Sequence, residues 1–200
     1  MSDLFEDQPT SIPLANGSAT LHHDFINHVE ADDIFSVLQK DTPWKQDTIN
    51  FKGNISPIPR LAAWYSRTAK IYTYSGIQML GNPYTVVLDI LNTKVERLLG
   101  HSFNSVLLNY YRNGGDSVSW HADDEAELGD HIHIASVSLG ATRTFQLKRK
   151  DGTGDTVAMD LTHGSLLSME HPMQQYWLHQ IPKRKNIAQP RINLTFRYLP

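Results

Sequence analysis

The sequence predicts an α+β fold that is mainly β, and two observations support this prediction. Two segments with helical periodicity occupy the first half of the chain. After Ser105 come six short segments rich in β-branched or aromatic residues, separated by Gly, Asp and Pro. Helices followed by a run of short strands are typical of an α+β fold, and many short strands are typical of a sandwich or barrel. We therefore expect a jelly-roll-like core.

The start of the chain lacks a clear periodic pattern. Residues 1–20 are polar and contain Pro and Gly, which predicts a loose arm, and we expect residues 21–200 to form a single domain. A chain of 200 residues can bury a core without crosslinks. Because the chain has no cysteine, disulfides and thiolate metal sites are excluded, and any metal must be bound by nitrogen and oxygen ligands.

The predicted helices span residues 28–40 and 82–100. In the second, apolar residues recur at helical spacing, Asn82 can cap the start, Pro83 suits the first turn, and Gly100 ends the pattern. Both helices are expected to cover one side of a sheet. The predicted strands span residues 105–111, 133–140, 142–149, 154–161, 165–170 and 191–199.

Composition also bears on location. No apolar run approaches the roughly 20 residues that a membrane-spanning helix needs. The acidic, polar start does not resemble a secretory signal. We expect a soluble monomer without a membrane partner, cytoplasmic if the source is bacterial and otherwise intracellular, with the nucleus included.

The net charge of −3 is unevenly distributed. Residues 1–41 carry eight acidic residues and one basic residue, a balance of −7, which leaves +4 for residues 42–200. Two basic clusters, at 148–150 and 183–185, belong to this mildly basic part, which could follow a phosphate backbone. Two ordinary solvated loops explain the same clusters, and charge alone favours that explanation.

His121 and Asp123 are candidate metal ligands, because residues two apart on an extended segment share a face. Such a His-x-Asp pair alone is more often a surface turn. His179 would complete the two-histidine, one-carboxylate triad of non-haem iron(II) oxygenases, which leaves metal positions open for a co-substrate and oxygen. A half-buried structural role is the alternative for His179. Four other histidines compete for the third position: His131, His133, His163 and His171.

The segment 191–197 alternates four polar residues with three apolar ones, so a strand there would present its polar residues on one face. Arg191 and Arg197 on that face could clamp a small dicarboxylate, because guanidinium pairs with carboxylate bidentately. For an isolated strand, a solvent-exposed face is the simpler explanation. Asn109 and Tyr111 also share a strand face, which alone is ordinary pairing.

In their order and separation, these segments resemble the AlkB family of iron(II)/2-oxoglutarate dioxygenases over roughly residues 50–200. The segment around Pro59-Arg60 and residues 72–76 further resemble the branch that includes the nuclear DNA-repair homologues. The matching segments are N-x-Y at 109–111, H-x-D at 121–123, A-S-V-S-L-G at 135–140, H-G-S-L-L at 163–167, the histidine at 179, and P-R-I-N-L-T-F-R at 190–197.

The resemblance implies a double-stranded β-helix, or jelly roll, with flanking helices and a metal inside one mouth. It implies Fe(II) bound by His121, Asp123 and His179, with 2-oxoglutarate as co-substrate and O2 as oxidant. The residues implied to hold 2-oxoglutarate are Asn109, Tyr111, Arg191, Asn193, Thr195 and Arg197.

The resemblance also implies oxidative demethylation of N-alkylated bases of the 1-methyladenine and 3-methylcytosine type, in single- or double-stranded DNA or in RNA. The base must leave its stack, and Tyr74 and His121 would then hold its two faces. Arg60 would act on the nucleic-acid side. Carboxylates at the pocket would favour the cationic damaged base. The other residues implied to contact the base are Tyr72, Ser75, Asp124 and Glu125.

A predicted hairpin at 51–54 bears on strand preference. Enzymes that act on duplexes often insert an apolar wedge between bases, and Phe51 is the candidate here. Lys52 at the tip is less apolar than such a wedge, which leaves single strands as the alternative.

Two other functions remain open at this point. An oxygenase of this kind could act on a protein, a lipid or RNA. A non-enzymatic jelly-roll binding module is the second alternative, and the complete triad with both arginines argues against it.

Overall fold

The structure is a computed structural model that describes residues 8–51, 54–68, 72–74 and 77–200. The helices are α1 (His28–Asp41), α2 (Val86–Leu99) and the short α3 (Met173–Tyr176), with a 3-10 turn at Ala126–Leu128. In chain order the strands are β1 (Thr10–Leu14), β2 (Gly17–His22), β3 (Thr48–Phe51), β4 (Asn54–Pro57), β5 (Leu61–Ser66), β6 (Tyr72–Tyr74), β7 (Ile77–Met79), β8 (Ser105–Tyr111), β9 (Val118–His121), β10 (Ile134–Gly140), β11 (Arg143–Arg149), β12 (Val157–Leu161), β13 (Leu166–Glu170), β14 (Trp177–Ile181) and β15 (Arg191–Arg197).

Two antiparallel sheets form the body of the fold. The larger sheet has the order β1-β2-β13-β10-β15-β8-β5, and the smaller has the order β12-β11-β14-β9. Buried apolar side chains from both sheets, such as Ile134 and Leu167 from the larger and Phe145 and Leu147 from the smaller, form one cluster. This arrangement confirms the predicted mainly β jelly roll, or double-stranded β-helix, with flanking helices.

The outer side of the larger sheet is covered by α1 and α2, as predicted. Ile34 of α1 and Leu91 of α2 belong to the same buried cluster as Ile192 and Leu194 of β15. Leu91 and Leu194 are fully buried, and burial of such a side chain stabilises the fold by about 2 kcal/mol. The helices therefore fix β15 from one side.

The other face of β15 points into the space between the sheets. All seven of its residues are buried, and Arg191 and Arg197 are only 1% and 2% exposed. The strand alternation was thus predicted correctly, whereas the simpler explanation of a solvent-exposed polar face is wrong. A polar face buried inside a jelly roll indicates a site for a polar ligand.

The predicted arm over residues 1–20 is wrong for its second half, because β1 and β2 belong to the larger sheet. β2 pairs with β13, with Leu21 opposite Leu167, and this pairing buries Ala19 and Leu21. Edge pairing therefore outweighs the Pro- and Gly-containing composition on which the prediction was based. Residues 1–7 of the predicted arm lie outside the described residues.

The helix predictions are confirmed in type, and one boundary is corrected. α1 begins after Asn27, whose side chain accepts a hydrogen bond from the Glu30 amide. α2 begins at Val86 rather than at 82, since the backbone amide of Asn82 donates to Trp64 O and holds this segment against β5. Thr85 caps the helix instead, and Gly100, with φ of 72°, ends it as predicted.

β3 and β4 form the hairpin predicted around residues 51–54, with Phe51 paired to Asn54. Within the part of the chain that the structure describes, no helix combines the length and apolar character needed to cross a membrane.

Candidate active site

The three predicted metal ligands meet on the smaller sheet. β9 and β14 are antiparallel and place His121 opposite His179, with ring centroids 4.2 Å apart. Asp123 follows β9 and is 2% exposed. One ligand atom from each of the three residues lies within 4.8 Å of the other two. The fold therefore brings together side chains that are 56 positions apart in the sequence.

The competing histidines lie elsewhere. His163 accepts a hydrogen bond from the Gly140 amide, and the ring of His131 lies against that of His171, with centroids 4.7 Å apart. His133 contacts Glu170. The structure thus favours His179 as the third ligand, a choice that spacing alone left open.

Hydrogen bonds orient the triad for a metal. The Oδ2 atom of Asp123 accepts from Arg197 Nη2 at 2.7 Å, whereas its buried Oδ1 has no hydrogen-bond partner among the described residues. His121 Nδ1 lies 2.8 Å from Ser119 O, and donation to this carbonyl leaves Nε2 for a metal. His121 Nε2 and the buried Asp123 Oδ1 are thus both available to the same metal ion.

The electrostatics also suit a cation. Burial, with a smaller contribution from His121, lowers the pKa of His179 to about 3, and burial lowers the pKa of His121 as well. Burial would raise the pKa of Asp123, but Arg197 and the two histidines hold that pKa below its ordinary value. At neutral pH the cluster therefore offers neutral imidazoles and a carboxylate, which are the forms that bind metal. Two imidazoles and one carboxylate fit Fe(II).

The predicted co-substrate residues lie beside the triad. β15 pairs with β8 so that Arg191 is opposite Tyr111 and Asn193 is opposite Asn109. One cavity between the sheets is lined by the triad and by all six of these residues: Asn109, Tyr111, Arg191, Asn193, Thr195 and Arg197.

Arg191 has the surroundings expected of a carboxylate-binding residue. Its Nη2 donates to Ser138 Oγ at 2.9 Å, while Nε and Nη1 are buried without a hydrogen-bond partner among the described residues. Burial lowers its pKa to about 10, so it remains a cation at neutral pH. A buried cation with unsatisfied donors is unfavourable until an anion pairs with it. The cavity thus fits one carboxylate of a dicarboxylate.

The neighbouring residues are connected to one another. Asn193 Nδ2 donates to Ser136 Oγ at 2.8 Å, and Thr195 Oγ1 donates to Asn193 Oδ1 at 3.1 Å. Arg197 differs from Arg191 because it already pairs with Asp123. The two arginines that the sequence treats alike therefore have different environments.

Arg60 lies deeper than expected. It is 4% exposed, and its Nε donates to Asn109 Oδ1 at 2.7 Å. Its expected role on the nucleic-acid side remains a prediction. The contact places Arg60 behind a residue of the cavity wall.

The two acidic residues that follow the metal motif differ in exposure. Asp124 is exposed and forms an ion pair of 2.6 Å with Lys150, while Glu125 is half-buried before the 3-10 turn. Lys148 Nζ lies 4.5 Å from the ring centroid of Trp120. The basic cluster at 148–150 therefore lies next to the metal motif.

For four predicted substrate residues, the structure describes either the backbone alone or nothing. Ser75 lies outside the described residues, as do the side chains of Phe51, Tyr72 and Tyr74. The backbone of Tyr72–Tyr74 forms β6, which pairs with β7.

Sequence reasoning missed several residues that support the site. Gln174 of α3 is 2% exposed, and its Oε1 accepts from the Asp123 amide at 3.0 Å, a contact that no sequence pattern signals. Ser136 and Ser138 contact Asn193 and Arg191, respectively. Period-two alternation along β10 could have identified this serine pair as facing the cavity.

Comparison with known proteins agrees with this geometry. The family model described as the 2OG-Fe(II) oxygenase superfamily matches residues 9–197. A solved structure described as OsALKBH1 superposes with a TM-score of 0.67 at 17% identity, covering 94% of this chain and 100% of that one. An oxidoreductase of the 2OG-Fe(II) oxygenase family from Burkholderia pseudomallei gives 0.59 at 13% identity, with coverage of 89% and 84%. These two structures support the fold.

Curated relatives are more similar in sequence. Human alpha-ketoglutarate-dependent dioxygenase alkB homolog 3 is 44% identical over 194 residues, which cover 92% of this chain and 67% of the relative. Human DNA oxidative demethylase ALKBH2 is 39% identical over 178 residues, which cover 84% and 68%. The chain spans about two thirds of the length of these relatives. It belongs to the AlkB family of Fe(II)- and 2-oxoglutarate-dependent dioxygenases within the 2OG-Fe(II) oxygenase superfamily.

Proposed function

We propose that this chain oxidatively removes alkyl groups from N-alkylated nucleic-acid bases of the 1-methyladenine and 3-methylcytosine type, and so reverses alkylation damage directly. The observation that carries this proposal is the convergence of His121 with the buried Asp123 and His179, beside an Arg191 guanidinium whose Nε and Nη1 have no hydrogen-bond partner among the described residues. The chain is also 39% identical to a named DNA oxidative demethylase. DNA is the proposed substrate, single- or double-stranded, with RNA as a related one.

When bound, Fe(II) and 2-oxoglutarate would supply the oxidation of an N-methyl carbon by O2. In overall balance, the methylated base, 2-oxoglutarate and O2 give the unmethylated base, formaldehyde, succinate and CO2. His121, Asp123 and His179 would hold the iron, and the donors of Arg191 would bind a carboxylate of 2-oxoglutarate. Arg197 keeps Asp123 ionised through their 2.7 Å contact.

The acidic residues that follow the metal motif support a cationic substrate. N-methylation on the pairing edge of adenine or cytosine leaves a positive charge, which a nearby carboxylate stabilises. Asp124 now pairs with Lys150, and we propose that the damaged base competes for this carboxylate while Lys150 turns to a phosphate. Glu125 would provide the second carboxylate.

The remaining substrate contacts follow from the resemblance and remain proposals. Tyr74 would stack on the flipped base opposite His121, with Tyr72 and Ser75 at its edge. Phe51 at the β3–β4 hairpin would act as a wedge in duplex DNA.

Turnover of a defined oligonucleotide tests the function. Formaldehyde and succinate should form in equal amounts from strands that contain 1-methyladenine or 3-methylcytosine. Asp123→Ala should lower the rate more than about 100-fold, because the outer partners of metal ligands alone contribute about 10–100-fold. Asp155→Ala, at an exposed position, is the matched control and should leave the rate unchanged.

Other outcomes would redirect the assignment. Activity that survives Asp123→Ala contradicts the metal site. Turnover of 2-oxoglutarate with a peptide or lipid but not with the oligonucleotides would support an oxygenase of different substrate class. Tight oligonucleotide binding without any succinate would indicate a binding module.

A further inference from the structure

A second group of two histidines and one carboxylate lies outside the lining of the proposed catalytic cavity. It consists of His101, His133 and Glu170, and we name it the outer cluster. His101 follows the end of α2, His133 immediately precedes β10, and Glu170 ends β13. Because β10 and β13 are antiparallel neighbours, the start of one and the end of the other meet at the same edge of the sheet.

The ligand atoms of the outer cluster already converge. Glu170 Oε2 lies 3.1 Å from His101 Nε2 and also contacts His133 Nδ1. The two imidazole rings are stacked, with centroids 3.9 Å apart and planes at 20°. One ligand atom from each residue lies within 4.8 Å of the others. In a tetrahedral zinc site, neighbouring ligand atoms are separated by roughly 3.3 Å.

We propose that the outer cluster binds a divalent transition-metal ion, with Zn²⁺ as the preferred occupant. Two imidazoles and one carboxylate, without a thiolate, suit borderline divalent ions. The side chains of His101, His133 and Glu170 are 36%, 30% and 27% exposed, which gives an ion access and leaves room for a water ligand. Three ligands with an open position are a common zinc arrangement.

Binding at this site would connect three segments of the fold. His133 ends the connection that begins after the metal motif at Asp123, and His101 belongs to the connection between α2 and β8. A shared ion would hold both connections to β13 through Glu170. The site therefore has a stabilising role, independent of the proposed substrate.

The test counts zinc ions bound by the full chain. Metal-stripped protein is titrated with zinc alone and followed by calorimetry, with the catalytic triad expected to bind one equivalent and the outer cluster another. Asp123→Ala should retain one equivalent, and His133→Gln should also lose one of two. The double variant should bind none. His28→Gln, an exposed histidine at the start of α1, should keep both equivalents.

Thermal unfolding provides a second readout. Zinc should raise the Tm of Asp123→Ala by about 5 °C at saturating concentration, and this increase should disappear when Glu170→Gln is added. Zinc binding that is fully lost in Asp123→Ala overturns the proposal, because the outer cluster would then be only an ion pair. One equivalent that survives Asp123→Ala but not His133→Gln supports the proposal even if the triad binds no zinc.

Discussion

The triad and the outer cluster contain the same kinds of side chain, but they differ in burial. The side chain of Asp123 is 3% exposed, whereas that of Glu170 is 27% exposed. The buried carboxylate is paired with the guanidinium of Arg197, which is itself buried. The partly exposed carboxylate of Glu170 instead forms ion pairs with the imidazoles of His101 and His133. Burial thus makes the triad dependent on a neighbouring cation.

This difference in burial suits the two groups to different roles, although both contain two imidazoles and one carboxylate. Inside the cavity, low solvent exposure strengthens electrostatic interactions and excludes water from a reaction. At the surface, the same ligands can hold an ion but give little control over the chemistry. We therefore expect perturbations of the triad to have much larger effects than matched perturbations of the outer cluster.

Removal of the buried cation should have the largest effect. Arg197→Met would leave the Asp123 carboxylate buried without its guanidinium partner, and we expect the free energy of unfolding of the metal-free protein to fall by about 3–5 kcal/mol. Urea unfolding measures this change. Arg97→Met, at an exposed position on α2, is the control and should change it by less than about 0.5 kcal/mol. Equal effects of the two variants would contradict the dependence on burial.

Loss of the unsatisfied guanidinium should weaken co-substrate binding. Arg191→Lys keeps the charge but removes the planar donor pair, so we expect KM for 2-oxoglutarate to rise roughly 10–100-fold, with a smaller change in kcat. Steady-state kinetics with varied 2-oxoglutarate checks this. Ser138→Ala removes one hydrogen bond to Arg191 and should raise KM by less than about 10-fold. An unchanged KM in Arg191→Lys would exclude the proposed role.

Acid should destabilise the metal-free protein through the buried side chain of His179. Because the folded-state pKa of His179 is lowered to about 3, unfolded chains bind a proton below pH of about 6.5 that folded chains do not. Stability should therefore fall as pH drops from about 6.5 towards 3, by about 1.4 kcal/mol per pH unit from this residue. Urea unfolding across this range should show a shallower slope for His179→Gln, and an unchanged slope for His28→Gln. A slope insensitive to His179→Gln would contradict this origin.

The smallest effect is expected at the outer cluster without metal. Glu170→Gln removes a partly exposed ion pair, and such pairs contribute about 0–1 kcal/mol. Unfolding in the presence of a chelator measures the change. A loss as large as that of Arg197→Met would show that exposure does not separate the two clusters.

Local patterns were sufficient to predict much of the fold. Alternation along β15 showed which side chains share a face, and Gly100 ended α2 as expected. The pattern could not show which face of β15 lies inside, because that depends on packing by α1 and α2. β1 and β2 were missed because their hairpin joins the sheet only through the non-local pairing of β2 with β13.

The residues of the site likewise fall into two groups, those that sequence motifs predict and those that only the fold brings together. The proposed metal ligands and co-substrate residues were predicted from motifs in a characteristic order, and they line one cavity. The hydrogen bond between the Asp123 amide and Gln174 joins residues 51 positions apart, and no sequence pattern predicts it. The outer cluster unites positions 101, 133 and 170, which only the sheet register brings together. The contact of Arg60 with Asn109 could not be predicted from the sequence, because only the pairing of β5 with β8 brings the two residues together.

The burial of both faces of β15 limits which amino-acid substitutions this protein can tolerate. Every one of its residues is enclosed, with Ile192, Leu194 and Phe196 beneath the helices and the polar residues around the cavity. A substitution on the apolar face would weaken packing against the helices, and a substitution on the polar face would impair ligand binding. Few substitutions in this strand should therefore be tolerated. Libraries that aim to alter substrate preference should therefore leave this strand untouched and vary the exposed segment around Asp124.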